Sequence, residues 1–222
     1  MRRYLEEELA RLKEKILQMG ILVEQQIADS ITALIEQNIA LARQTIQNDH
    51  QVNAMDVEID EECIRLLALY QPAGRDLRFI TTAMKITTDL ERMSDLSEDI
   101  CERTIELSQA PLPKPCSDIP KMAEAAKRMV RETLDAFVNK DAALARKVCA
   151  DDGLIDDLTH QIFMALVAQM VEDPQLVTRA IRISFIAKYI ERIGDHATNI
   201  AEMVVYLVEG KIIRHTHTGV GG

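Results

Sequence analysis

The chain has 222 residues, a formal net charge of −10 and a sequence pI near 5.0. Gly (8) and Pro (6) are scarce, aromatic residues make up 4% and Trp is absent, so Leu, Ile, Val, Ala and Met carry the apolar content, which suits helix packing rather than a sheet. The acidity argues against nucleic acid, whose phosphates need clustered Lys and Arg, and against an anionic membrane surface; a cation or a basic protein face is the natural partner.

Breakers are few and divide the chain into six predicted helices, over 3–36, 39–70, 75–109, 118–138, 141–171 and 174–209. Asn38 is the expected N-cap of the second and Asp141 of the fifth, since a short side-chain oxygen there satisfies first-turn amides. Turns are expected at Gln71-Pro72-Ala73-Gly74 and Glu172-Asp173-Pro174, and APLPKPCSD (110–118) is the Pro-rich linker. Gly20, inside the first helix, weakens that assignment slightly. The start, MRRYLEEELARLK, carries no apolar h-region, so no secretory signal is expected. The longest uncharged stretch, Leu158–Val171, falls short of the roughly 20 residues that span a bilayer. A soluble, cytoplasmic protein is expected, with no direct membrane insertion. Cys63, Cys101, Cys116 and Cys149 form no CxxC and read as small core residues. Met19, Met55, Met84, Met93 and Met122 read as core filler.

The two halves match. Leu41-Ala42-Arg43 corresponds to Leu144-Ala145-Arg146, Asp49 to Asp152, Val52 to Ile155, Asn53 to Asp156, and the caps Asn38 and Asp141 to each other. Farther on, ERMSDLSEDICE (91–102) aligns with ERIGDHATNIAE (191–202) with five of twelve residues identical. The predicted architecture is all-α: two tandem homologous three-helix bundles, 1–110 and 118–212, with a linker at 111–117 and a disordered tail at 213–222.

Carboxyls recur at i and i+4 in Glu91/Asp95, Glu191/Asp195 and Asp152/Asp156, and Asp49 has the amide Asn53 at the same spacing. In the sixth helix Ile186, Ile190, Ile193, Ala197, Ile200, Val204 and Leu207 form the core stripe. At about 100° per residue, Glu191, Asp195, Asn199 and Glu202 fall opposite it. The third helix repeats this, with Ile86, Leu90, Met93, Ile100 and Leu107 inward and Glu91, Asp95, Asp99 and Glu102 outward. Such acids are expected to be solvated rather than core. A solvated acidic face costs only about 0.2–0.5 kcal/mol per like-charged pair, but four pairs, three of them like-charged, at matching places in two repeats point to a site. Carboxyls one turn apart, about 6 Å along the axis, supply hard oxygen ligands for Mg²⁺, Mn²⁺, Ca²⁺ or iron. Weak, exchangeable surface binding is expected.

A ferritin-like di-metal enzyme or storage protein is the alternative, but it needs Glu-x-x-His pairs facing a bundle core, and none occurs. Asp157-x-x-His160 points away from its helix core, and His196 reads as a surface histidine, Leu96 standing in its place in the first half. His215 and His217 in the tail are adventitious metal binders at most. No phosphate loop, nucleophile elbow or Ser/His/Asp set appears, so no enzyme is expected. Arg92 and Arg192 are candidates to pair with a neighbouring carboxyl or a partner.

With ERMSD, ERIGDHATNIAE, DHQVN (49–53), DGLID (152–156), LALYQPAGRDLRFI (67–80) and MVEDP (170–174), the chain resembles the PhoU family from about residue 5 to residue 214. The resemblance implies a cytoplasmic helical adaptor, often a homodimer, that restrains phosphate uptake and the starvation regulon between a phosphate ABC transporter ATPase and a sensor histidine kinase. It also implies multinuclear iron or zinc on the bundle surface at Asp49, Asn53, Glu91, Asp95, Asp152, Asp156, Glu191 and Asp195. Asn53 departs from the E/DxxxD form, so the first site is expected to be weaker.

Overall fold

The computed structural model describes residues 2–109, 112 and 118–213; the linker segments 110–111 and 113–117, Cys116 and the tail residues 214–222 lie outside them. Six helices form: α1 (Arg2–Glu36), α2 (Ile39–Tyr70), α3 (Arg75–Leu107), α4 (Ile119–Asn139), α5 (Ala142–Glu172) and α6 (Val177–Glu209). Both expected caps are made. Asn38 accepts from Leu41 N at 3.0 Å, and Asp141 accepts from Ala143 N and Leu144 N at 2.9 Å each. α6 starts later than predicted because Asp173 caps Gln175 N (3.0 Å) and winds Pro174–Leu176 into a 3-10 turn first.

Each half is a three-helix unit, yet the halves do not keep separate cores. Leu12, Ile16 and Met19 of α1, Met93 of α3, Met122 and Phe137 of α4, and Ile190 of α6 all belong to one buried cluster. α3 packs on α6, and α1 on α4, so every helix except α2 and α5 is shared across the middle. Glu106 of α3 pairs with Arg182 of α6 at 2.8 Å while Asp89 meets His196, so α3 and α6 run antiparallel. Phe79 of α3 stacks on Phe137 of α4, centroids 5.7 Å apart. Gly20 belongs to this junction: a Cβ there would lie 2.5 Å from Leu134 Cδ1, so glycine lets α1 close on α4.

The core stripes of α3 and α6 are buried as the periodicity requires, as are Met19, Met93 and Met122, with Met55 and Met84 packed at the margin. Cys63 and Cys101 are buried and Cys149 half-buried, all free; burial pushes the thiols of Cys63 and Cys101 up to about 12, which makes them poor nucleophiles. Among the described residues, no helix is long and apolar enough to cross a membrane.

Candidate functional site

Asp195 and Glu102 are exposed, as expected, but Glu91, Asp95, Asp99, Glu191 and Glu202 are partly covered. Glu91 and Glu191 keep only 21% and 15% of their side chains exposed. A helical wheel with one buried stripe treats the opposite side as water. Here α3 is packed by α1, α2 and α6, and α6 by α3, α4 and α5, so the flanks are covered as well.

In the first repeat the acids are largely committed to the protein itself. Asp49 is 96% buried, having 4% exposure, which corrects the surface placement read from the sequence. Ser94 of α3 donates to its Oδ1 at 2.6 Å, and Asn53 Nδ2 donates to its Oδ2, also at 2.6 Å. Ser94 Oγ also contacts Gln26 of α1, so this polar knot ties all three helices of the unit. Arg92 reaches Glu91 at 3.3 Å and Asp95 at 2.8 Å, so it pairs with neighbouring carboxyls. Asn53 Oδ1 is buried without a hydrogen-bond partner among the described residues, an acceptor whose lost hydration is not replaced by them.

One carboxylate of this set escaped the sequence reading. Asp56 follows Asn53 by one turn on α2, continuing a four-then-three spacing from Asp49. Burial raises its carboxyl, and its charge helps raise Glu91, whose own shift comes first from desolvation and then from Asp95. That spacing was the available signal. Asp56 supplies to the first set the charge that Asn53 lacks.

In the second repeat the carboxylates are less satisfied. Asp152 accepts only a 3.2 Å hydrogen bond from Thr198, and Glu191 is paired with Lys188. Asp156 and Asp195 have no hydrogen-bond or ion-pair partner among the described residues. Desolvation, then Asp156, raises the Asp152 carboxyl; desolvation, then Asp152 and Glu191, raises Asp195. The four carboxylates therefore repel one another across the α5–α6 face, with Lys188 offsetting part of that repulsion, rather than converging on one point. Asp152 and Asp195 open on a cavity of about 660 Å³ between α3, α5 and α6, whose far wall carries Lys85, Thr88 and Asp89.

His196 is no surface histidine. Its Nδ1 lies 2.7 Å from Asp89 Oδ1, and Asn199 Nδ2 donates to the same oxygen at 3.4 Å. Only the fold puts Asp89 there, so no sequence signal predicts the pair. Arg192 lies near enough to Asp99 to favour its ionised form. Asp157 and His160 are exposed, as expected.

The donor chemistry suits a hard cation: carboxylates in both sets, plus the orphaned Asn53 oxygen in the first. Among the described residues no three His, Cys, Asp or Glu side chains converge as a ready metal cage. Glu91, Asp152 and Asp195, whose carboxyls are raised by desolvation and then by neighbouring negative charge, are those a cation would relieve.

A family model described as "PhoU domain" matches residues 16–104 and 119–204, once in each half. The chain is 42% identical to the phosphate-specific transport system accessory protein PhoU homolog of Aquifex aeolicus, over 95% of both chains. It is also 42% identical to the homolog of Pseudomonas putida, over 94% of this chain and 82% of that one. Among solved structures, PhoU from Pseudomonas aeruginosa superposes with a TM-score of 0.90 at 40% identity, covering 93% of this chain and 99% of that one. The phosphate transport system regulatory protein PhoU from Streptococcus pneumoniae gives 0.88 at 28% identity, covering 94% and 99%.

Proposed function

Since the chain belongs to the PhoU family, we propose that it is an accessory protein of a phosphate-specific transport system, restraining phosphate import and the starvation response when phosphate is plentiful. It works at the cytoplasmic face as a non-enzymatic adaptor, docking on the transporter's ATPase subunit and on the phosphate-sensing histidine kinase. The observation that carries this reading is the likeness itself: whole-chain identity to proteins named as accessory to phosphate transport, with the PhoU domain present twice.

The acidic sets are the proposed cation sites. Asp152, Asp156, Glu191 and Asp195 would hold the ions of the second set, and Glu91, Asp95, Asp56 and the Asn53 oxygen those of the first. Asp49 serves the first set from behind, since both its oxygens already accept hydrogen bonds from Ser94 and Asn53. A bound cation would supply positive charge to carboxylates that otherwise repel one another. The residues' own part is to present that charge on rigid helices and keep it partly desolvated. The second set has the greater unspent acceptor capacity and is the stronger site.

Alanine at both Asp95 and Asp195 tests the role of the acids. Loss of association with the ATPase subunit or the kinase, or loss of repression, supports it. Intact association and intact repression together sink it.

A further inference from the structure

The repeats differ most sharply in a groove between α5 and α6. It encloses about 550 Å³ and is lined by Phe163 and His160 of α5 and by Phe185 and Lys188 of α6, with Asp156 and Glu191 at one end. Phe163 and Phe185 are each 50% exposed, and Ile181, one turn before Phe185 on the same face, is also exposed. The hydroxyls of the walls are spent internally: Thr159 donates to Ile155 O at 3.0 Å and Ser184 to Ile181 O at 2.7 Å. Phe185 is braced by stacking on Tyr189, centroids 6.4 Å apart.

The first repeat provides an internal control. In the register that aligns Asp49 with Asp152 and Asp95 with Asp195, Phe163 corresponds to Asp60 and Phe185 to Lys85. The same helix pair in the same fold thus needs no aromatic residue at either place. Single exposed apolar side chains are ordinary, but two phenylalanines facing one cavity, where the first repeat has Asp60 and a Lys85 that lines the α3–α6 cavity instead, mark a surface kept apolar for contact.

The geometry points to this groove as the docking site for a basic amphipathic helix of a partner protein, an inference that deepens the accessory-protein reading and rests on it. Charge selects that occupant. The open end carries Asp156, which has no hydrogen-bond or ion-pair partner among the described residues, and Glu191, with Asp152 and Asp195 beyond. Lys188, the lysine of the groove, and Glu191 pair with each other, so the charge that selects the occupant is chiefly that of Asp156, with Asp152 and Asp195 beyond. A helix with two aliphatic side chains one turn apart seats them between Phe163 and Phe185 and lays Lys or Arg over the acids a turn farther on, in competition with the cation proposed for them. A second acidic copy of this chain would bring like charge to that end.

The test is fluorescence anisotropy with a helix-forming peptide of about 20 residues, roughly 30 Å long, carrying two leucines four apart and lysines in the adjoining turn. A scrambled peptide of equal composition controls for general attraction to an acidic protein. The decisive variant is Phe163→Asp with Phe185→Lys. It installs the first repeat's own residues and leaves net charge unchanged, and its helix content is checked by circular dichroism. Phe163→Ala with Phe185→Ala serves if that variant fails to fold. The proposal expects the patterned peptide to bind roughly tenfold or more tightly than the scrambled one, with the preference lost in either variant. Equal binding of both peptides, or a preference unchanged by substitution, overturns it. So does a wild-type dimer that the substitution converts to monomer without any patterned-peptide preference, since a second copy is then the occupant. Binding as expected in a protein whose removal leaves phosphate uptake unchanged would sink the accessory reading and leave the groove standing.

Discussion

His196 of the second repeat holds Asp89 of the first at 2.7 Å, and the pair sits where α3 and α6 cross the middle of the molecule. It is a polar bond between the two copies of the duplicated unit, and both side chains are largely buried. Replacing His196 by Leu, the residue of the first repeat at the matching position, removes the nearer of two partners of a largely buried carboxylate and leaves it the 3.4 Å bond from Asn199. A cost of about 1–3 kcal/mol is expected. Urea denaturation reads it directly, and a midpoint unchanged from wild type contradicts the assignment.

Asp49 and Asp152 occupy matching positions and do different work. Asp49→Ala strands the donor of Asn53 and leaves Ser94 only Gln26 as acceptor in the first unit, and about 1–3 kcal/mol of stability is expected to go with it. Asp152 is held by one long bond from Thr198 and repelled by Asp156, so Asp152→Ala is expected to cost less than about 1 kcal/mol. Equal losses from the two substitutions would show that burial of Asp49 has no energetic consequence.

Asp99 carries a pH signature. Desolvation first, then Glu102, raises its carboxyl above the ordinary range, with Arg103 opposing. The folded protein therefore holds this proton more tightly than the unfolded chain. Stability is unpenalised below the ordinary carboxylate value of about 4 and falls as pH rises through the window up to the raised value. Asp99→Asn, which installs the amide found at Asn199, is expected to raise the melting temperature at neutral pH. The gain should vanish in acid. A gain that persists unchanged below that range means the effect is not one of ionisation.

Cations should stabilise the second acidic set more than the first. Saturation at a hundred times Kd is worth about 2.7 kcal/mol for one site, so Mn²⁺ or Zn²⁺ is expected to raise the melting temperature. Asp156→Asn with Asp195→Asn should remove most of that rise, whereas Asn53→Ala should remove little. Thermal scans with and without the ions decide it, and an undiminished rise in the Asp156/Asp195 variant rejects this site.

Helices, caps and core stripes were legible in the sequence because they are local: the 4-3 spacing of Ile186 to Leu207 and the oxygens of Asn38 and Asp141 act within a turn or two. The duplicated acids were legible for the same reason. What escaped was set by contacts distant in sequence. A wheel gives α3 one neighbour, whereas three helices surround it, so Glu91 was read as solvated. Asp49 was read as a surface ligand because nothing nearby announces Ser94 or Gln26. His196 was read as exposed because its partner lies in the other repeat. The exposed pair Phe163 and Phe185 sits on α5 and α6, and only their packing makes those two residues walls of one groove.

The central claim is that the chain restrains phosphate import. The direct measurement is uptake of labelled phosphate, under phosphate-rich conditions, by host cells lacking this protein and by the same cells with it restored. Unrestrained import with a constitutively active starvation response, both reversed on restoration, is the predicted result. Uptake and starvation response identical to those of the parent cells would contradict it.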